Sequence, residues 1–210
     1  MINDENAARH WIADAMRADE QTMARLCRFV DLLTLENLSQ NLVSQESLSR
    51  VWQRHIVDSL QLQMFAPANT KLDWLDLGTG AGFPGLVLAV FEPELKMTLV
   101  ESRSRRVDWL ERIVDEFALR NVSVEGRRLE QVDSRRFGVI SARAFAPLPK
   151  LVELAARFST AETTWILPKG RSAAQDLASL EGWDHTFHVE QSITDLEAGI
   201  ITGQLSKRKG

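Results

Sequence analysis

Tyrosine is missing altogether from the 210 residues, and cysteine occurs once, as Cys27. A lone cysteine closes no intrachain disulfide and cannot by itself build a zinc cluster, which points to a reducing, cytoplasmic setting. No uninterrupted apolar run approaches the roughly 20 residues that cross a bilayer. The opening MINDENAARHWIADAM is polar and acidic, where a secretory signal would be basic and then apolar. No membrane partner is expected. A net basic charge is missing as well: 25 Lys and Arg stand against 29 Asp and Glu, a formal charge of −4. Taken as a sum, that argues against a nucleic-acid partner.

What is present is ordinary in amount and uneven in placement. With 44% hydrophobic and 26% charged residues, the chain can bury a full core and suits one α/β domain with a small appendage. Met1 to Met64 carries 6 basic and 9 acidic residues, whereas Arg103 to Arg143 carries 10 basic and 7 acidic. The basic residues cluster as Arg103, Arg105 and Arg106, then Arg127 with Arg128 and Arg135 with Arg136. Such a patch can meet phosphates while the whole protein stays acidic, although solvated helix faces account for it equally well.

Before Gly78 there is no glycine, and Leu26, Phe29, Val30, Leu33 and Leu38 recur at helical spacing. A second helix is expected through VWQRHIVDSLQLQMF, and the turn-like APANTK ends the extension. Strands LDWLDL, KMTLVE, VSVE, FGVISA and TTWILP then alternate with helices over Phe83–Phe91, Arg105–Leu119, Leu148–Phe158 and Ala173–Leu180. WDHTFHVEQ and GIITGQL close the chain as two strands with no room for a helix between them. The expected architecture is an N-terminal helical extension, 1–70, and an α/β domain, 71–210. Its sheet would be seven-stranded and mostly parallel with an antiparallel strand.

The densest signal is LDLGTGAGFPGLVLAV, Leu75–Val90, between a strand and a helix. Ligands of open parallel sheets sit beyond the carboxyl ends of the strands, and glycines there let the backbone approach closely. A phosphate-binding P-loop needs Lys and then Ser or Thr after the last glycine; here Leu86 and Val87 follow Gly85. A dinucleotide fingerprint survives formally, with Gly80, Gly82 and Gly85 and acidic Glu101 farther on. The acid-x-G-x-G-x-G pattern of an S-adenosyl-L-methionine (SAM) pocket fits Asp76, Gly78, Gly80 and Gly82 without gaps. A carboxylate beside the loop would repel a pyrophosphate, but it suits the positive methionine end of SAM. Glu101 at the end of the next strand could accept from both ribose hydroxyls. SAM is therefore favoured.

Several ordered motifs resemble the bacterial RsmG (GidB) methyltransferases. They are NLVS at Asn41–Ser44, RHIVDSL at Arg54–Leu60, LDLGTGAGFPGLVLA, LVES with Arg105 and Arg106, then RRLEQV, SARAFAP and LPKG. The resemblance implies a Rossmann-like class I SAM-dependent methyltransferase acting on N7 of a guanosine in the 530 loop of 16S ribosomal RNA, free or in the small subunit. It implies SAM contacts at Gly78, Phe83, Leu129, Glu130 and Arg143, with Lys169 facing the same crevice. Arg103, Arg105, Arg106, Lys169 and Arg171 are the candidates for RNA.

Guanine N7 carries an in-plane lone pair, so methyl transfer to it needs alignment and no general base. The sequence agrees: there is no Asn-Pro-Pro-Tyr motif for exocyclic amines and no cysteine after the fourth strand. Arg143 is the candidate beside the chemistry, in a positioning role. His55 and Asp58 share a helix face, where they either act in the site or fasten the helix to the main domain. No acid or cysteine cluster completes a metal site around His10, His185 or His188, so no metal is expected. Cys27, Trp52 and Trp74 read as packing. A nucleotide-dependent oxidoreductase and a non-catalytic SAM- or RNA-binding module are the competing classes, and a monomer is expected.

Overall fold

The computed structural model describes residues 1–68 and 73–208. The expected boundary at 70/71 and the first residue of LDWLDL lie outside the described residues. The extension opens with α1 (Glu5–Asp14) and α2 (Glu20–Glu36), whose N-termini are capped by the Asp4 and Asp19 carboxylates. A short α3 (Gln45–Leu48), capped by Ser44, follows. The chain then runs through a π-helical stretch (Trp52–Val57), α4 (Asp58–Leu60) and a 3-10 turn (Gln61–Phe65). Leu26, Phe29 and Leu33 of α2 are fully buried, as their spacing requires. Leu38 departs from the expected stripe: it lies past the end of α2 and is 79% exposed. Cys27 is only half-buried and sits 3.8 Å from Arg9 Nη1.

The sheet begins with β1 (Trp74–Leu77), followed by α5 (Gly85–Phe91), β2 (Met97–Val100), α6 (Ser104–Glu116) and β3 (Val122–Glu125). Next come β4 (Val139–Ala142), α7 (Leu148–Ala155), β5 (Thr164–Gly170) and α8 (Ala173–Ala178). β6 (Trp183–His185) and β7 (His188–Gln191) both pair antiparallel with β8 (Gly199–Arg208), along successive parts of its length. WDHTFHVEQ is thus one expected strand broken at Thr186–Phe187, and the ladder order is β3-β2-β1-β4-β5-β8-β6. Pairings among β1 to β5 are parallel. The order reverses between β1 and β4, which opens a crevice at their carboxyl ends.

Strand alternation splits the core into two layers. Leu75 and Leu77 face α7, while Trp74 faces α5 and the extension. α5 is buried from Gly85 to Val90 because β2 covers one side and α2 and α4 the other. The extension is therefore part of the same core as the sheet. It is also stitched to the loop before β8. Gln53 Nε2 donates to Ile2 O and Thr194 O, the Ile193 N–H donates to Gln61 Oε1, and Thr194 Oγ1 donates to Asp58. Glu5 of α1 accepts from the Trp52 and Gln53 N–H groups at 3.0 and 2.9 Å, capping the π-helical stretch. Among the described residues no helix is long and apolar enough to cross a membrane.

Candidate active site

β1 and β4 lie in a register that sets Asp76 opposite Ser141. Trp74 Nε1–H donates to Ser141 Oγ at 2.8 Å, and the Ser141 hydroxyl donates to Asp76 Oδ1 at 2.7 Å. The Gly85 N–H donates to Asp76 Oδ2 at 3.0 Å, which ties down the start of α5. Asp76 is 0% exposed, and burial pushes its carboxyl up to about 6 against the pull of these hydrogen bonds and of Arg143. Asp76 was expected to face the positive end of a cofactor. In the fold it braces the glycine loop from beneath, with both oxygens engaged.

Above that brace, Gly78, Gly80 and Gly82 have φ of +63°, +61° and +103°. Gly78 has a second reason to be glycine, because a Cβ there would stand 2.5 Å from Phe145 Cδ2. A pocket of about 280 Å³ opens beside the loop, lined by Gly78, Glu101, Ser102, Leu129, Glu130 and Phe145 among others. Glu101, at the end of β2, takes the Gly80 N–H on Oε2 and the Ser102 and Arg103 N–H groups on Oε1. Three bonds leave a carboxylate room for one further donor, and the free capacity is on Oε2. Leu129 begins a 3-10 turn (Leu129–Gln131) and is buried; Glu130 is exposed at the rim. Arg103, Arg106, Arg127 and Arg128 ring the same pocket. The Arg106 guanidinium lies over Gly80, 3.0 Å from where a Cβ would be.

A larger cleft of about 1340 Å³ lies on the other side of Ala144 and Phe145, whose residues line both spaces. Its walls come from the extension, from the ends of β4 and β5 and from the loop before β8. Arg143 stands at the end of β4. Its Nη1 and Nη2 lie 3.2 and 3.3 Å from His55 Nδ1, and its guanidinium carbon is 4.8 Å from the centre of the Phe83 ring. His55 stacks on Phe83 at 4.5 Å and 16°. Burial, followed by the charges of Arg143 and Arg54, holds the His55 imidazole down to about 3, so it is neutral at any physiological pH. Burial lowers the Arg143 guanidinium and raises the Asp58 carboxyl.

The structure therefore distributes the expected site residues. Gly78, Glu101, Leu129 and Glu130 surround the small pocket, and Arg143 faces the large cleft. Phe83 is 2% exposed and packs between His55, Phe29 and Arg143. Of the RNA candidates, Arg103 and Arg106 border the small pocket, and exposed Arg105 donates to Ser39 O at 2.9 Å. Arg171 is exposed and paired with Glu197 at 2.6 Å. Lys169 lines the large cleft but does not stand free in it. Its side chain is only 9% exposed, and its ammonium is engaged by Ala146 O at 3.0 Å and Asp176 at 3.5 Å. Sequence reasoning passed over Phe145 and Ala144, although both lie within SARAFAP. Ala144 has φ +53°, rare for a residue with a Cβ, and that turn sets Phe145 over Gly78. Arg50 and Arg54, four apart, were also passed over and line the cleft.

Among solved structures, an O-methyltransferase from Bacillus cereus in complex with SAH is similar in fold. Its TM-score is 0.59 at 15% identity, covering 94% of this chain and 97% of that one. The sheet order and glycine loop are those of class I SAM-dependent methyltransferases. The ribosomal RNA small subunit methyltransferase G of Erythrobacter litoralis is 54% identical over 205 residues, 97% of this chain and 98% of the relative. The protein of the same name from Novosphingobium aromaticivorans is 50% identical, covering 96% and 88%. Residues 22–198 match the family described as GidB, rRNA small subunit methyltransferase G, and the chain belongs to that family.

Proposed function

We propose that the protein transfers a methyl group from SAM to N7 of a guanosine in the 530 loop of 16S ribosomal RNA. One observation carries the reading: a small acid-floored pocket at the ends of β1 and β2 adjoins a large arginine-bearing cleft, with a shared wall at Ala144 and Phe145. The residues fit the cofactor. Glu101 has acceptor capacity left for a ribose hydroxyl, and the glycine loop carries no Cβ on the pocket side at Gly78. Leu129 offers an apolar contact and Glu130 a polar edge for an adenine. When bound, SAM would supply an electrophilic methyl on a sulfonium; an in-plane nitrogen lone pair would bond to that carbon as the carbon–sulfur bond breaks, with the thioether S-adenosylhomocysteine as the leaving group.

The chain's own contribution is placement. Arg143 presents N–H groups to the cleft, where they can hold an O6 or a phosphate of the target nucleotide. His55 is neutral and already occupied by Arg143, so it takes up no proton at neutral pH. That suits a nucleophile with no proton to lose. Arg50 and Arg54 also line the cleft, each paired with a carboxylate, Glu46 and Asp195 respectively. Arg103, Arg106 and Arg128 have guanidinium groups without a hydrogen-bond or ion-pair partner among the described residues, and they are assigned to flanking phosphates. Lys169 is assigned to shaping the β5 wall, because its ammonium is already satisfied.

The test is incubation of purified protein with small-subunit particles or 16S RNA and methyl-labelled SAM, using RNA from a strain lacking the gene. Label on guanine N7 within the 530 loop is the expected result. Transfer to another atom or loop would overturn the site, and absence of transfer to any RNA would overturn the activity.

A further inference from the structure

We propose that His55 is a positioning residue, whose unprotonated Nδ1 holds the Arg143 guanidinium across the face of Phe83 and so aims its remaining N–H groups into the cleft. The proposal rests on the function given above, within which Arg143 meets the target nucleotide. Five contacts define the arrangement. Both terminal nitrogens of Arg143 converge on Nδ1 at 3.2 and 3.3 Å, and Nη1 lies 3.5 Å from Arg54 O. The guanidinium carbon is 4.8 Å from the Phe83 centroid, and the imidazole stacks on the same ring at 4.5 Å. An arginine has five N–H donors; this geometry uses three, leaving Nε–H and one Nη2–H for the cleft.

Histidine is an expensive way to fill this space. Two donors converging on Nδ1 require the lone pair there, which places the proton on Nε2, and Nε2 is buried without a partner. Packing alone would be served better by an apolar ring, which strands no polar atom. The retained cost matches a need for an acceptor at Nδ1. The surroundings point the same way: burial first, then the charges of Arg143 and Arg54, disfavour protonation, so the acceptor persists across the working pH range. Asp58, also on the cleft wall, is bonded to Thr194 and Gln61 and acts on Arg143 only through its charge, so among the described residues the imidazole is the side-chain acceptor within hydrogen-bond reach of Arg143.

Two variants separate the acceptor from the packing. His55→Phe keeps a ring on Phe83 and removes the acceptor, whereas His55→Asn loses the ring and keeps an acceptor at the δ position. With saturating SAM, His55→Phe should slow single-turnover methyl transfer by about tenfold or more with little change in SAM affinity, and His55→Asn should recover most of that loss. Each variant's melting temperature is measured alongside. A His55→Phe protein that transfers at the wild-type rate would overturn the proposal. So would rates that follow the two melting temperatures and not the acceptor. A second readout needs no activity: the 15N guanidinium resonance of Arg143, assigned with Arg143→Lys, should be exchange-protected in wild type and His55→Asn and lost in His55→Phe. If wild type transfers no methyl but the resonance behaves this way, the function is wrong and the positioning contact stands.

Discussion

The small pocket and the large cleft share Ala144 and Phe145 yet are built by different means. The pocket is made where parallel strands end: β1 and β2 contribute the glycine loop and Glu101, and main-chain N–H groups take up the carboxylates. The cleft is assembled from segments around residues 47–61, 143–147, 168–176 and 192–200, held by side chains reaching across the chain. A site drawn from consecutive loops is fixed by backbone geometry. One drawn from remote segments depends on whatever docks them, here the extension and its bonds to the loop before β8. The rule that cofactor and target sites adjoin at the switch point is common to such folds; the way each is held is particular to this chain.

That contrast can be broken from either side. Arg143→Ala should have the largest effect on catalysis, a loss of about 100-fold in transfer, or roughly 2.7 kcal/mol, since it removes the group proposed to meet the target nucleotide. Rates at saturating SAM measure it; wild-type transfer together with wild-type SAM binding would remove Arg143 from the site. Asp76→Asn strikes the pocket. It keeps an acceptor for Ser141 but turns an amide N–H₂ toward the Gly85 N–H, so stability should fall by about 2 kcal/mol and SAM affinity with it. Urea denaturation and calorimetric titration read both, and unchanged SAM affinity would show that the brace is dispensable.

Glu5→Ala sharpens the contrast, because both hydrogen bonds that Glu5 accepts come from within the extension. Freeing the Trp52 and Gln53 N–H groups should cost about 1 kcal/mol and lower transfer while leaving SAM affinity intact. A matching loss of SAM affinity would mean that pocket and cleft are not separable. The fourth comparison is the pH dependence of the melting temperature, where the two sites have opposite signs and their contributions partly cancel in wild type. His55 is held near 3, below its ordinary 6.5, so its contribution to stability is present above pH 6.5 and is lost as pH falls toward 3. Asp76 is held near 6, above its ordinary 3.8, so its contribution is full below pH 3.8 and is lost as pH rises through 6. Melting curves from pH 4 to 8 should therefore drop less on acidification in His55→Phe than in wild type. In Asp76→Asn they should drop more. The same curve for all three proteins would refute both assignments.

The alternation of strands and helices was legible because each element's period and its punctuating glycines and prolines are local. All seven expected strands are present, the sixth broken in two at Thr186–Phe187. The glycine loop was equally legible: positive φ at Gly78, Gly80 and Gly82 is a local demand that only glycine meets easily. Charge was less informative. Lys169 counts as a cation in any tally, but the carbonyl and carboxylate that satisfy it belong to Ala146 and Asp176.

By itself, the sequence determined the class of fold, the place of the ligand loop and the presence of a carboxylate near the end of each of the first two strands, because hydrophobic period and backbone permissiveness act within a few residues. Tertiary structure alone decided what the carboxylates do. The β1–β4 register turned Asp76 into a buried brace against Ser141, and the end of β2 left Glu101 an open acceptor. Docking of the π-helical segment against Phe83 brought His55 to Arg143, 88 residues away in the chain. Hydrogen bonds and ring stacking act over a few ångströms of space, and the separation of residues along the chain gives no measure of that distance.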